Sequence, residues 1–269
     1  MESLWWLLPL LLALLIGATA PVAGTLLLVQ RRLFLANLVS HAVLPGLALA
    51  VALRIDPGIG GVVSGVAGAL LAERLSRAER PGDPADEAVI NTVLAAFLGL
   101  GVLLIPLLGI RVNLEAVLFG DLLAAGPQDL LRSLLALLVL VALLLWRYRD
   151  YVYLGVDPLG AASAGLPVRR LRLLLTLVTA FTVVSAMTAV GVVLVIALMG
   201  APALLALRGA TSLRQSLRRA ALIGMALAAG GYGLAVQPAI NLPPGPLIGV
   251  LCLLVLPFSL PGAERSARA

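Results

Sequence analysis

Long stretches of this chain carry no charge at all. Leu4–Val29, Ala88–Leu108 and Leu173–Leu207 each run without an Asp, Glu or Arg. The hydrocarbon core of a bilayer is about 30 Å thick, and a helix rising 1.5 Å per residue needs roughly 20 apolar residues to cross it. Only helices and closed barrels pair all their backbone groups inside lipid. A transmembrane barrel alternates apolar and polar residues along short strands, whereas these runs are continuously apolar and rich in Leu and Ala. The sequence therefore predicts an all-α fold, a polytopic transmembrane helical bundle with eight or nine spanning helices, as a single domain over residues 1–269. Composition excludes the alternative of a soluble fold. Hydrophobic residues make up 61% and charged residues 12%, where a soluble domain is about a quarter charged.

The predicted spans are Leu4–Val29, Leu35–Leu53, Ile59–Ala72, Ala88–Leu108, Asp129–Trp146, Ala220–Val236 and Leu247–Leu260. Leu173–Leu207 is too long for one crossing, and Gly191 and Gly200-Ala201-Pro202 suggest two shorter or broken helices there. Gly109–Gln128 is mixed in character, with a short helix expected over Val117–Ala125. Residues 147–172 form the longest polar stretch.

The net charge is +6, and all 19 basic residues are Arg. With nine crossings, 31–34, 73–87, 147–172, 208–219 and the C-terminal tail fall on one side. They hold sixteen of the nineteen Arg; only Arg54, Arg111 and Arg132 lie opposite. Arg and Lys accumulate on cytoplasmic loops, so this face is assigned to the cytoplasm and the N-terminus to the outside. The Arg residues sit singly or in short groups at the ends of apolar runs. A nucleic-acid reader would cluster them on a solvated face, so the expected surroundings are membrane lipid, with no nucleic acid as partner.

Ala18-Thr19-Ala20 looks like a signal-peptidase box. The n-region, however, carries Glu2 and no positive charge, Pro21 follows the box, and the apolar run resumes to Val29, so an uncleaved first span is expected. The single cysteine, Cys252, lies in an apolar run and reads as a small buried hydrophobe. No GxxxxGK[ST] phosphate loop is present; if ATP drives this protein, the ATPase is another chain.

Three polar residues, Asn37, Ser40 and His41, interrupt the second span, and His41 is the only histidine. Asn37 and His41 are four apart and share a helix face. Polar groups within a span mark a pathway, a relay or a partner contact. Imidazole suits zinc and other transition metals, and oxygen ligands suit manganese. The same pair could instead hydrogen-bond neighbouring helices together, and spacing does not separate the two readings. Pro45 and Gly46 follow one turn later, where proline removes a backbone bond. Interrupted helices often build transporter sites. Met187, Met199 and Met225 lack helical spacing and read as core fillers. Gly61, Ser64, Gly65 and Gly68 allow close helix packing in the third span.

The cytoplasmic segment 156–170 opens with Asp157 as a helix N-cap and Pro158 at the first helical position. Gly165, Leu166 and Pro167 end that short helix. A short helix projecting from a membrane protein suits docking a partner.

Four stretches together resemble the permease subunits of bacterial ABC importers for manganese, zinc and iron. Leu28–Leu47 reads LVQRRLFLANLVSHAVLPGL, similar to the family's arginine turn followed by Gly-Asp-Ala-Leu-Ser-His-Ala-Val-Leu-Pro-Gly. Val117–Leu130, VLFGDLLAAGPQDL, resembles its Leu-Phe-Gly segment. Leu154–Val168, LGVDPLGAASAGLPV, resembles its Asp-Pro-Glu…Gly-Leu-Pro loop. Ala186–Leu205, AMTAVGVVLVIALMGAPALL, resembles its Val-Gly-…-Pro-Ala-Ala helix. The order matches over nearly the whole chain.

The resemblance implies a homodimeric permease of a bacterial inner membrane, itself no enzyme and holding no cofactor of its own. It implies two cytoplasmic ABC ATPase subunits that bind ATP, and an extracytoplasmic metal-binding protein that delivers substrate. It implies that 154–170 contains the coupling helix, with Asp157, Pro158, Gly165, Leu166 and Pro167. It implies that His41, and Asn37 in place of the family's Asp, line the metal path. Asn brings no negative charge to strip water from a divalent cation, and Ala36 stands where the family has Gly. An ABC permease of similar architecture for another solute, such as a metal chelate, is the first alternative. An ion-coupled secondary transporter would need intramembrane acids, and Asp56, Glu115, Asp121 and Asp129 all lie near helix ends. The sequence does not choose among manganese, zinc and iron.

Overall fold

The structure is a computed structural model, and it describes residues 6–76, 84–110, 120–237 and 242–259. Among these residues the regular secondary structure is helical. Four long helices come first: α1 (Leu7–Val29), α2 (Phe34–Ala52), α3 (Pro57–Leu75) and α4 (Pro84–Leu107). The 30-residue α5 (Pro127–Val156) leads into the short α6 (Pro158–Ser163). Then follow α7 (Val168–Val190), α8 (Val192–Leu207), α9 (Leu213–Ala235) and α10 (Pro244–Val255), which ends in a 3-10 turn, Leu256–Ser259.

Six of these helices, α1 to α5 and α7, are long and apolar enough to cross a membrane. The apolar segments Val192–Leu207 and Pro244–Ser259 are shorter, and α9 has 23 residues. Together they account for the spans the sequence predicts.

The helices pack as two groups. α2 lies against α3 and α4, while α1 lies against α8 and α9. α7 touches both groups and carries α5 on its flank. The core runs through α1, α2 and α7, with Leu12, Ile16, Leu26, Leu38, Leu171 and Leu175 all buried. Pro21 and Ala20 are buried inside an unbroken α1, and Cys252 is buried on α10.

The tertiary bonds join segments that the arginine distribution puts on the same side. On the Arg-rich side, Arg32 pairs with Glu73 at 2.7 Å, both nearly buried. Tyr151 donates to the Leu171 carbonyl at 2.9 Å, and Arg208 reaches the Phe258 carbonyl. On the opposite side, Arg132 pairs with Asp56, Ser133 donates to the Ser185 carbonyl at 3.4 Å, and Tyr232 donates to the Trp6 carbonyl at 2.9 Å.

Four details differ from expectation. The fifth helix does not stop at Trp146: it bends at Arg147, whose backbone is non-helical (φ −124°, ψ 23°), and continues to Val156. The continuation is stable because Tyr151 and Leu154, three residues apart, are buried. The long apolar run breaks once, at Gly191 with φ +80° and ψ 160°, and not at Gly200-Ala201-Pro202, which lies inside α8. Only glycine adopts that backbone without penalty, whereas a proline inside a packed membrane helix is tolerated. Residues 120–126 are not helical. Gly120 has φ +68° and the Asp121 carboxylate accepts from the Ala124 N–H at 3.1 Å, a local turn that competes with helix. Residues 117–119 of the short helix expected there lie outside the described residues. Finally, α9 begins at Leu213, because Ser212 caps it by accepting from the Gln215 N–H at 3.3 Å. The polar turn therefore becomes two turns of helix bearing Arg214, Arg218 and Arg219.

Candidate translocation face and docking helix

α2 is the most enclosed of the polar-bearing spans. Leu35, Ala36, Leu38, Val39, Ser40, Ala42 and Val43 are all buried against its neighbours. Asn37 and His41 break this pattern: both are only half-buried, and Phe34 above them is exposed. At 100° per residue, positions 34, 37 and 41 line one stripe. Over the first half of α2 this is the open stripe, with an amide and an imidazole on it.

The hydrogen bonding separates these two residues from the third polar residue of the span. Ser40 is fully buried and donates to the Ala36 carbonyl at 2.8 Å. Ser64 of α3 donates to the Ala42 carbonyl at 2.6 Å. The side chains of Asn37 and His41 have no hydrogen-bond partner among the described residues. Among the described residues they do not fasten α2 to another helix by a hydrogen bond. Each of the two residues keeps part of its surface exposed.

No group of three or more His, Cys, Asp or Glu assembles among the described residues. One copy of the stripe offers two donors, too few to hold a first-row metal tightly. Met187 and Met199 are buried in the core.

The backbone of α2 around this stripe is held by close contacts. A methyl group on Gly46 would land on the Gly60 carbonyl oxygen, and one on Gly60 would land on that of Gly46. Gly101 of α4 meets Leu44 and Pro45 in the same way. α2 runs unbroken past Pro45. The predicted small-residue face of α3 is real: Gly61 meets Val43, Gly65 meets Val39 and Gly68 meets Ala42.

The candidate acids sit at helix ends. Asp56 caps α3, accepting from the Gly58 N–H at 2.7 Å, and pairs with Arg132. Asp129 lies in the first turn of α5 and accepts from the Gly126 N–H at 3.0 Å. Glu115 lies outside the described residues.

The second candidate element is α6. Asp157 has non-helical φ/ψ and accepts from the Gly160 N–H at 2.9 Å, with Pro158 opening the helix, as the sequence predicts. The helix closes through Gly165, at φ +79°. The Leu166 N–H donates to the Ala161 carbonyl at 3.1 Å and the Gly165 N–H to the Ala162 carbonyl at 3.0 Å, a C-terminal motif that needs a left-handed residue. Ala161 is buried beneath the helix. Asp157, Leu159, Ser163, Gly165 and Pro167 are exposed, and Leu166 is half-buried. Val156 and Leu159 expose 81% and 61% of their surface. The base is rigid: Tyr151 ties α5 to α7 on one side, and Gly155 abuts Val29 at the end of α1 on the other. α6 is therefore a short, capped, partly apolar helix standing on fixed supports.

Sequence reasoning missed the Arg32–Glu73 and Arg132–Asp56 pairs and the bend at Arg147. Nothing in the local pattern pairs residues 41 or 76 positions apart. The one signal in the sequence is that each pair falls on a single predicted side of the membrane.

Known proteins with the same pattern supply the context. The chain is 30% identical over 246 residues, 91% of its own length and 81% of the relative's, to an uncharacterized membrane protein encoded in the ycf23-apcF intergenic region of Cyanophora paradoxa. It is 32% identical over 177 residues to the manganese transport system membrane protein MntC of Halalkalibacterium halodurans, covering 65% of this chain and 59% of that one. The fold is similar to a chain in the solved structure of PsaBC from Streptococcus pneumoniae in complex with Fab, with a TM-score of 0.84, 24% identity and coverage of 99% and 95% of the two chains. It is also similar, at TM-score 0.72 and 19% identity over 94% and 86%, to an inward-facing putative metal-chelate type ABC transporter. The spans and these relatives make this a multi-pass membrane protein. The sequence profile of the ABC 3 transport family matches residues 6–261; the chain belongs to that family.

Proposed function

We propose that this chain is the membrane-spanning permease subunit of an ATP-driven importer that carries a divalent transition metal, manganese, zinc or iron, into the cytoplasm. The observation that carries the reading is the open stripe on α2: an imidazole and an amide, half-exposed and without hydrogen-bond partners among the described residues, on a largely buried helix. Polar groups left unpaired in a membrane span are costly, and a path for a polar cargo is what offsets that cost. The manganese transport name of the relative from Halalkalibacterium halodurans agrees with it.

In this reading the working unit is a homodimer. Two copies of α2 bring two His41 and two Asn37 side chains to one path, four donors in place of two. The metal is cargo, held by neutral ligands loosely enough to leave. Two cytoplasmic ABC ATPase subunits bind and hydrolyse ATP, and α6 docks on them through Asp157, Pro158, Gly165, Leu166 and Pro167. An extracytoplasmic metal-binding protein delivers the ion to the opposite face.

The test is metal accumulation in cells expressing the chain with its ATPase and binding protein, across manganese, zinc and iron. Selective uptake of one metal supports the reading. An assembled complex that hydrolyses ATP and accumulates none of them overturns it. The second reading, a permease for a metal chelate, draws on Asn37: a chelated metal keeps its ligands and needs no carboxylate to strip water from it. Asn37→Asp is expected to change the preference among the three metals or the rate of uptake. Identical preference and rate would place residue 37 off the path.

Substitutions on α6 test the docking role. Leu159→Asp puts a charge on the exposed apolar edge and leaves the Asp157 cap intact. Transport is expected to fall to background while the ATPase subunits retain or raise their hydrolysis. A fully coupled Leu159→Asp complex would rule out α6 as the contact.

A further inference from the structure

α5 crosses about 30 Å between Pro127 and Trp146, at 1.5 Å per residue, which is one hydrocarbon core. The helix bends at the next residue, Arg147. Beside the bend lies a groove of about 770 Å³ between α5 and the first turns of α9. Its upper wall is apolar and outward-facing: Val141 and Leu145 are exposed, Leu145 at 81%. Its lower wall carries Arg147, Arg149, Arg214 and Arg218.

The charge balance of the groove is one-sided. Among the described residues that line it, Asp150 is the only carboxylate, and it is already bonded to Arg147 at 2.9 Å. Arg149, Arg214 and Arg218 are exposed and have no ion-pair partner among the described residues. The Arg147 Nε–H is buried and unsatisfied. Arg214 and Arg218 stand on the first two turns of α9, where the helix dipole also favours an anion. Trp146, 68% exposed, lies at the boundary with the Arg147 guanidinium 4.6 Å from its ring centroid. Tryptophan gathers at the depth of lipid headgroups.

We propose that this groove binds the phosphate headgroup of an anionic phospholipid of the cytoplasmic leaflet. The arginines of α5 and α9 hold the phosphate, and the acyl chains lie along Val141 and Leu145. The juxtaposition distinguishes a lipid from a soluble anion, because a cationic cradle opens directly onto a lipid-facing apolar strip. The consequence is mechanical. The lipid bridges α5, which carries α6, to α9, which packs on α1, and so stiffens the platform on which α6 stands.

The experiment is native mass spectrometry of the full-length protein titrated with phosphatidylglycerol or phosphatidylcholine. Each arginine near an anionic headgroup contributes about 1 kcal/mol, about fivefold in affinity. Phosphatidylglycerol is expected to be retained by the wild type, and phosphatidylcholine not. Arg214→Gln with Arg218→Gln is expected to weaken phosphatidylglycerol binding about 25-fold. Arg169→Gln with Arg170→Gln, the same charge change outside the groove, leaves it intact. Both lining arginines are exposed, so the variant folds; a wild-type-like melting profile checks this. Equal retention of the two lipids, or equal loss in both variant pairs, overturns the proposal. So does displacement of the lipid by millimolar inorganic phosphate, which would make this a free-phosphate site. If the groove variant keeps phosphatidylglycerol but loses the ATPase, the surface is a protein contact and the proposal fails.

Discussion

Gly46→Ala is expected to destabilise the protein, although alanine is the better helix former. In a helix interior the change from Gly to Ala contributes up to about 1 kcal/mol of stability. At Gly46 a steric term opposes it. The new methyl group would overlap the Gly60 carbonyl oxygen and crowd the Ser64 Cβ at the crossing of α2 and α3. A backbone oxygen cannot rotate away as a side-chain tip can, so the helices must separate. Separation stretches the Ser64 hydroxyl bond to the Ala42 carbonyl, 2.6 Å long and buried. Overpacking costs about 1–3 kcal/mol, and a weakened buried hydrogen bond adds about 1 kcal/mol. The net expectation is a loss of about 2 kcal/mol. Gly99→Ala is the matched control, because nothing lies within 4 Å of a methyl group there. Its expected effect is none, or a small gain. Thermal melting of the two variants in detergent decides the matter. Equal melting temperatures would mean that the α2–α3 crossing is looser than the geometry gives.

That crossing also marks how far the sequence could be read. The small residues Gly61, Ser64, Gly65 and Gly68 are visible as a close-packing face, because period and size are local properties. Their partners on α2 are not, because nothing in either helix names the other. The membrane spans are legible for a related reason: in a chain this apolar, about 20 consecutive residues without charge leave little room for anything but a crossing. The limits appear where charge and helix coexist. Arg147, Arg149 and Asp150 hide the continuation of α5, although Tyr151 and Leu154 at a helical interval anticipate it. Pro202 reads as a break, yet the helix ends at Gly191, because the backbone there, φ +80° and ψ 160°, requires glycine, while a buried proline has neighbours to satisfy the freed carbonyl. For α6, the cap residue and the closing glycine are specific to position, so the element is read correctly to within a residue. Its exposure and its supports under Tyr151 and Gly155 come only from the fold. The α2 pair is the mixed case. Spacing puts Asn37 and His41 on one face; only the packed structure reveals that this face is open and that both side chains lack hydrogen-bond partners among the described residues.

His41→Ala is expected to abolish metal uptake without harming the fold, and the expectation rests on that lack of partners. Replacing a polar residue that glues helices costs stability, because the residue it bonded is left buried and unsatisfied. No such orphan arises here, since the His41 imidazole is half-exposed and bonded to nothing among the described residues. The variant protein should therefore insert, melt and bind its ATPase as the wild type does. Its effect falls on the cargo. A divalent ion crossing the bilayer has shed part of its water, and each neutral ligand along the path lowers that barrier. Each 1.4 kcal/mol lost at the barrier slows passage about tenfold. In a homodimer both imidazoles go at once, so a loss of about a hundredfold is expected from two such ligands. His41→Asn, which keeps a neutral donor at the same place, should restore part of the rate, whereas His41→Leu should not. The measurement is initial uptake of the preferred metal per assembled complex, with ATP hydrolysis followed in parallel. Uptake within about twofold of wild type in His41→Ala would remove the imidazole from the path. Lost uptake with a lowered melting temperature would instead assign His41 a packing role, within the half-buried site or across the dimer, since among the described residues it has no hydrogen bond to lose.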